Sequence, residues 1–171
     1  MKLYVGTYKK YNEGSLEGDW LDLDDYSDKD EFLKACHELH KDEEDPELMF
    51  QDSETDYNWE EKLYSECSIP EEYWEIRSNL DRLHVDDDIF DAWLTNKCDD
   101  PTADDVHKCQ EQYIGKYKSD AAFAQNWYED CYPELSNSML YQYIDWDDVY
   151  NGEFRYDGFF SDNDYYFDSN R

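Results

Sequence analysis

Positive charge is scarce in this chain, and the shortage excludes more than any motif does. Only 15 lysines and arginines stand against 46 aspartates and glutamates in 171 residues, a formal net charge of -31. A surface so negative repels nucleic acid and anionic membrane, so neither is expected as a partner; it fits basic surfaces, particularly those that ordinarily hold polyanions. Glycine is sparse at six residues, and neither a phosphate-cradling glycine loop nor a GxSxG nucleophile elbow occurs. Cys36, Cys67, Cys98, Cys109 and Cys131 are odd in number and form no CxxC pair. That argues against a disulfide framework or zinc ribbon and for buried free thiols. The opening MKLYVGTYKK lacks the apolar core of a signal peptide, and no later segment approaches a membrane span, so the cytoplasm is the expected compartment.

What the chain has instead is aromatic bulk. So high a net charge ordinarily accompanies disorder where apolar residues are few. Here 6 Trp, 17 Tyr and 8 Phe supply large buried areas, and tyrosine buries its ring while its hydroxyl stays wet. The reading is a folded, very acidic protein. Its charge is spread through the body: residues 1–60 hold 19 acidic and 6 basic residues, 61–118 hold 15 and 7, and 119–171 hold 12 and 2. An acidic interaction tail would concentrate charge at one end.

Candidate chemistry fails on inspection. Asp52, Glu54, Asp56 and Asn58 alternate like the opening of a calcium loop. Tyr57 then stands where the sharp turn needs glycine, and Leu63 where a bidentate glutamate is needed. His37 and His40 lie three apart on an expected helix without a third ligand, and read as two exposed helix histidines. With 46 acids, some carboxylate pair at glycosidase spacing arises by chance and carries no weight. Neither a catalytic residue, a metal nor a cofactor is expected.

Periodicity gives an α+β chain in three small units. Leu3 to Tyr8 reads as a strand, and Leu16 to Leu23 as its partner across a turn at Lys10 to Gly14. Ser27 is the expected cap of a helix burying Phe32, Leu33, Cys36 and Leu39, and Leu48 to Phe50 a third strand. Near residue 60 the period becomes helical. Ser68 and Glu71 form a capping box before Tyr73, Ile76, Leu80 and Leu83; Asp86 to Asp88 start a second helix and Asp100-Pro101 a third, stopped by Gly115. Ser119 caps a helix with Phe123 and Trp127 inward, and Phe154–Phe160 with Tyr165–Phe167 reads as a closing hairpin. The expected domains are 1–60, a three-stranded sheet with a helix; 61–115, helical; and 116–171, helix and hairpin.

The acids form runs: Asp22, Asp24, Asp25 and Asp28; Asp42, Glu43, Glu44 and Asp45; Asp86, Asp87 and Asp88; Asp99, Asp100, Asp104 and Asp105; Asp145, Asp147 and Asp148. Any one run is explained as a solvated face. Several in a folded body with little cation repel one another, a cost that calls for a use. Duplex DNA carries one charge per 1.7 Å, so a net 31 charges match about 53 Å of duplex, whereas a sphere of this length spans about 40 Å. The total suits an elongated row of units, with carboxylates standing where phosphates would.

The stretch YVGTYKKYNEGSLEGDWLDL, the helix start SDKDEF and the segment HKDEEDPELMFQD resemble the ArdA family of antirestriction proteins. The resemblance is collinear over residues 4–52, looser from about Asp104 to Phe160 and weak between. It implies a non-catalytic DNA mimic, carried on mobile genetic elements in a bacterial host, that occupies the DNA site in the methyltransferase core of Type I restriction-modification enzymes. It also implies an elongated, curved architecture of three units and a homodimer joined through the C-terminal one, for which Phe154, Tyr156, Phe159 and Phe160 supply apolar contact. The alternative open from composition alone is an acidic binder of some other basic DNA-binding partner.

Overall fold

A computed structural model describes all residues, Met1–Arg171. The chain divides into two compact units, Met1–Val106 and His107–Arg171. The expected division near residue 60 falls inside the first unit, and the one near 115 falls within a strand of the second.

In the first unit, β1 (Lys2–Thr7) lies at the centre of a three-stranded antiparallel sheet, flanked by β2 (Asp19–Asp22) and β3 (Leu48–Glu54). Alternation puts Leu3 and Val5 wholly inside. The connection from β1 to β2 is not the simple turn expected: Thr7 caps a short helix, α1 (Tyr8–Asn12), by accepting from the Lys10 amide, and the turn follows at Gly14 (φ 81°). Gly18 then brings the chain against β1 so closely that a Cβ there would lie 2.3 Å from the Val5 carbonyl oxygen. Helix α2 (Lys29–Leu39) covers the sheet with Phe32 and Cys36. Its cap is Asp28, whose carboxylate accepts from the Glu31 amide at 2.8 Å, while Ser27 gives its amide and hydroxyl to the Glu31 carboxylate.

The sheet's core continues into the helices that follow, α3 (Asn58–Glu61), α4 (Glu72–Leu83) and α5 (Asp87–Leu94). Phe32 of α2 lies 5.9 Å from both Phe50 of β3 and Trp74 of α4. Trp59 stacks on Tyr73 at 5.5 Å and meets Phe90 edge-on at 6.0 Å. These shared rings are why no break occurs near residue 60. The expected Ser68 capping box is absent: Ser65 and Ser68 bond each other across a tight bridge, and Glu71 caps α4 without a side-chain bond. The helix ends at His84 in the left-handed region (φ 53°).

Helix α6 (Ala103–Gln112) carries the chain into the second unit and passes directly into β4 (Tyr113–Lys116). Gly115 lies within this strand and does not serve as the helix stop expected of it. β4 pairs with β6 (Tyr165–Asp168), which pairs with β5 (Phe159–Asp162), all antiparallel. The β5–β6 hairpin turns on Asn163 and Asp164, both at positive φ (48° and 68°), the two-residue geometry that matches strand twist. Ser119 caps α7 (Asp120–Cys131) as expected. Asp145 caps α8 (Trp146–Glu153), a helix not anticipated from the sequence. Phe123 of α7 centres this core, stacked on Tyr166 at 4.7 Å and edge-on to Phe154 at 5.1 Å.

The close approach at Gly18 makes a direct prediction. Gly18→Ala should destabilise the protein by about 2 kcal/mol, since overpacking against backbone forces a shift, read as a lowered urea midpoint at unchanged m-value.

Candidate partner-binding surface

The acids of this chain separate into those that bond within the fold and those that face outward. The inward set centres on Arg77 of α4. Its guanidinium meets Glu60 at 2.6 Å and both oxygens of Asp87 at 2.9 Å, and its Nε lies 3.7 Å from Asp24, an ion pair without a hydrogen bond. The same cation lies 5.0 Å over the Trp59 ring. Burial opposes its charge, but Asp87, Tyr73, Glu60 and Asp24 outweigh that and raise its pKa. Glu60 is 1 % exposed and also accepts from Thr55 and, at 3.0 Å, from the Tyr73 hydroxyl. The Met1 amino group lies 3.6 to 3.8 Å from Glu60, Asp24 and Asp22. Burial, with the neighbouring Glu60 and Asp24 charges, drives the Tyr73 phenol far above its ordinary range.

Two further cations are tied up in the same way. Lys10 is buried, its Nζ 3.0 Å from Asp42 and 3.3 Å from Nδ1 of His40, whose Nε2 lies 3.2 Å from the Val5 carbonyl. This geometry fits the tautomer with its proton on Nε2, donating to Val5 and accepting from Lys10. His40 is thus buried, where an exposed histidine was expected, and shares no open face with the exposed His37. The hydrogen bond from Lys10 holds the Asp42 carboxyl below its ordinary value. Asp105, expected at the surface, is 2 % exposed and bonds Lys97 together with the Thr102 amide (2.8 Å) and hydroxyl (2.7 Å). Burial pushes its carboxyl up, but those bonds more than offset it and the net shift is downward.

The remaining predicted acids are placed as follows. Asp22 caps a 3-10 turn, Asp28 caps α2, Asp145 caps α8, and Glu43 accepts from the Thr7 hydroxyl at 2.7 Å. Asp25, Glu44, Asp45, Asp86, Asp88, Asp99, Asp100, Asp104, Asp147 and Asp148 are exposed. Of the four residues expected to join two copies, Tyr156 is 87 % exposed but Phe154 is 4 % exposed, within the core; Phe159 packs on Phe123 and Phe160 stacks on Phe167. Sequence reading missed Glu60, Arg77 and Asp91, whose carboxylate accepts from the Asn58 and Trp59 amides at 2.9 Å. The sequence offered one signal, an arginine on the apolar face of a helix amid tryptophan and acid.

Among the described residues, no group of three or more His, Cys, Asp or Glu is arranged to hold a metal ion. Asp52 and Glu54 sit on β3, which fixes them in extended backbone unlike a calcium loop. Only Cys36 and Cys109 are the buried thiols expected, each pushed up to about 12 by burial, whereas Cys67, Cys98 and Cys131 are exposed. No helix is long and apolar enough to cross a membrane.

Lys10, Arg77 and Lys97 are thus taken up by carboxylates, while most acids of the predicted runs face outward. The antirestriction protein family ArdA matches residues 3–167 of the chain. The chain belongs to the ArdA antirestriction family. The match runs through the middle of the chain, where the quoted motifs alone were weak, and ends only four residues short of the C-terminus at Arg171. ArdA proteins are antirestriction inhibitors that act without catalysis. A search of curated proteins returned no match.

Two substitutions test the inward set. Arg77→Met should cost about 3 kcal/mol or more, because Glu60 is left buried without the guanidinium, and Arg77→Lys should recover only part, lacking the fork that reaches Glu60 and Asp87 at once. The Asp105 carboxyl titrates below its ordinary 3.8 in the folded protein, so its stabilisation is present above about pH 4 and lost as pH falls through the folded value. Asp105→Asn should therefore lower the urea midpoint at neutral pH, with the difference from the parent shrinking as pH falls below about 4.

Proposed function

We propose that this protein is an antirestriction inhibitor that works as a mimic of duplex DNA. It occupies the DNA groove of a Type I restriction-modification enzyme's methyltransferase core, in the cytoplasm of a bacterial host and encoded on a mobile element. The observation that carries this reading is the sorting of charge: Arg77, Lys10 and Lys97 are taken up by Glu60, Asp87, Asp42 and Asp105. Exposed carboxylates such as Asp25, Glu44, Asp45, Asp88, Asp99 and Asp148 face an outside partner.

A groove built for DNA grips phosphates with lysine and arginine, and carboxylates are comparable charge-assisted acceptors for those groups. The chain presents no base edges, so inhibition operates through charge and shape and ignores the target's sequence preference. Lysine and arginine residues that a folded carboxylate surface can reach without rearrangement bind it without an ordering cost. Association of opposite fields is fast and weakens with salt. Family membership supports the inhibitor class and its enzyme target, and the exposed carboxylates support the mimic mechanism.

The test is a titration against labelled DNA on a purified Type I methyltransferase core, at low and moderate salt. Stoichiometric displacement that declines with salt is the expected result. Absence of displacement at low salt would set this reading aside and leave an acidic binder of another basic protein. A single exposed change such as Asp88→Asn should alter displacement less than about fivefold, since one exposed pair is worth under about 1 kcal/mol. Joint neutralisation of Asp86, Asp88, Asp99 and Asp100 should weaken it about tenfold or more.

A further inference from the structure

Leu3 and Val5 occupy the inner face of the first unit's sheet, the face that α2 covers. Side chains alternate along a strand, so Tyr4 of β1 and Trp20 of β2 stand on the opposite face. The two are directly paired in register, with their rings 5.4 Å apart and edge-on at 71°. The Tyr4 hydroxyl donates to the Leu16 carbonyl at 2.8 Å, which fixes that ring, and Leu16 itself is 69 % exposed. Both aromatic residues are only half-buried. Across the three strands this face reads Trp20, Tyr4, Asp52 in one row and Asp22, Lys2, Glu54 in the next. An aromatic pair therefore lies at the surface with three carboxylates and one cation around it.

The geometry points to this face as a docking surface for arginine side chains of a basic protein. The fold uses the same combination internally: the Arg77 guanidinium lies 5.0 Å over the Trp59 ring while Glu60 and Asp87 accept from its N–H groups. On the outer face no cation of the chain lies over Trp20 or Tyr4. A guanidinium is planar and weakly hydrated, so it stacks on either ring while its edge donates to the neighbouring Asp22 or Asp52. An ammonium is a compact, strongly hydrated charge and gains less from the ring. The flanking acids repel a phosphate backbone, which keeps nucleobases from stacking here, and an uncharged partner would bury those acids unpaired. Strand pairing and the Tyr4 hydroxyl bond hold the rings in place, so an arginine meets them without an ordering cost. The inference deepens the mimic reading and takes from it only the identity of the partner. Charge alone does not distinguish lysine from arginine, and this face does.

The test titrates the full chain with oligoarginine and oligolysine of equal length, following the assigned indole N–H resonance of Trp20 by NMR. Oligoarginine should move that resonance at a lower concentration than oligolysine does. Trp20→Leu should weaken oligoarginine about two- to fivefold, the worth of one exposed cation–π contact, and weaken oligolysine less. Asp52→Asn, at an exposed position, should also weaken oligoarginine. The proposal is overturned if the Trp20 resonance answers both peptides equally or neither, a result read on the parent alone, or if a folded Trp20→Leu weakens both alike. It is overturned as well if oligodeoxythymidine or an uncharged leucine-serine peptide moves the resonance ahead of oligoarginine. Arginine selectivity at Trp20 in a protein that fails to displace DNA would remove the mimic reading and uphold this face. Displacement of DNA without that selectivity would remove this face alone.

Discussion

The guanidinium of Arg77 stands where Glu60, Asp87 and Asp24 converge, and the first unit depends on that convergence. Glu60 sits beside the start of the sheet, through the Met1 amino group, and Asp87 opens α5. One cation thus joins sheet, α3, α4 and α5, and its stacking over Trp59 ties the ionic cluster to the aromatic core. Burying such a group is favourable only when its carboxylates come with it. The cluster meets that condition, and its charges are satisfied by one another instead of by water.

This arrangement reconciles stability with a net charge of -31. Repulsion among exposed carboxylates is distributed and screened by salt, whereas the aromatic core is local and insensitive to it. Phe32, Trp59, Tyr73 and Phe90 in one unit and Phe123, Tyr150, Phe154 and Tyr166 in the other provide apolar burial without spending surface positions. The surface is then free to be acidic nearly everywhere, as the proposed mimicry of DNA requires.

Much of the fold was legible because hydrophobic periodicity and caps are local. The first strand, the helix carrying Phe32 and Cys36, the helix burying Tyr73, Ile76 and Leu80, the Ser119 cap and the closing hairpin follow from spacing alone. What was missed depended on tertiary partners. β4 is only four residues long and exists because β6 lies beside it, so the sequence offered Gly115 as a helix stop. The charged surface was readable as composition but not as a set of sites. An aspartate that caps a helix, one that faces solvent and one buried against Lys97 are the same letter, and Asp28, Asp88 and Asp105 differ only in what the fold brings to them. Phe154 failed as an interface residue for the same reason, since an aromatic in a hairpin-like run does not announce which side faces the core.

The tyrosines have a further role. Tyr73 donates its hydroxyl to Glu60 and Asp24, Tyr166 to Asp120 and Tyr141 to Glu129. A phenol satisfies a carboxylate without cancelling its charge, as a lysine would. The Tyr166–Asp120 and Tyr141–Glu129 pairs keep a full negative charge in a chain that has few cations. The device has a limit on the alkaline side. Burial and the neighbouring Glu60 raise the phenol pKa of Tyr73, and burial with the bond to Asp120 raises that of Tyr166. Their support is complete below the ordinary phenol range near pH 10 and is lost as the medium becomes more basic. There each lost proton removes a donor and adds one more anion beside a carboxylate, so alkali should dismantle this protein from its interior outward.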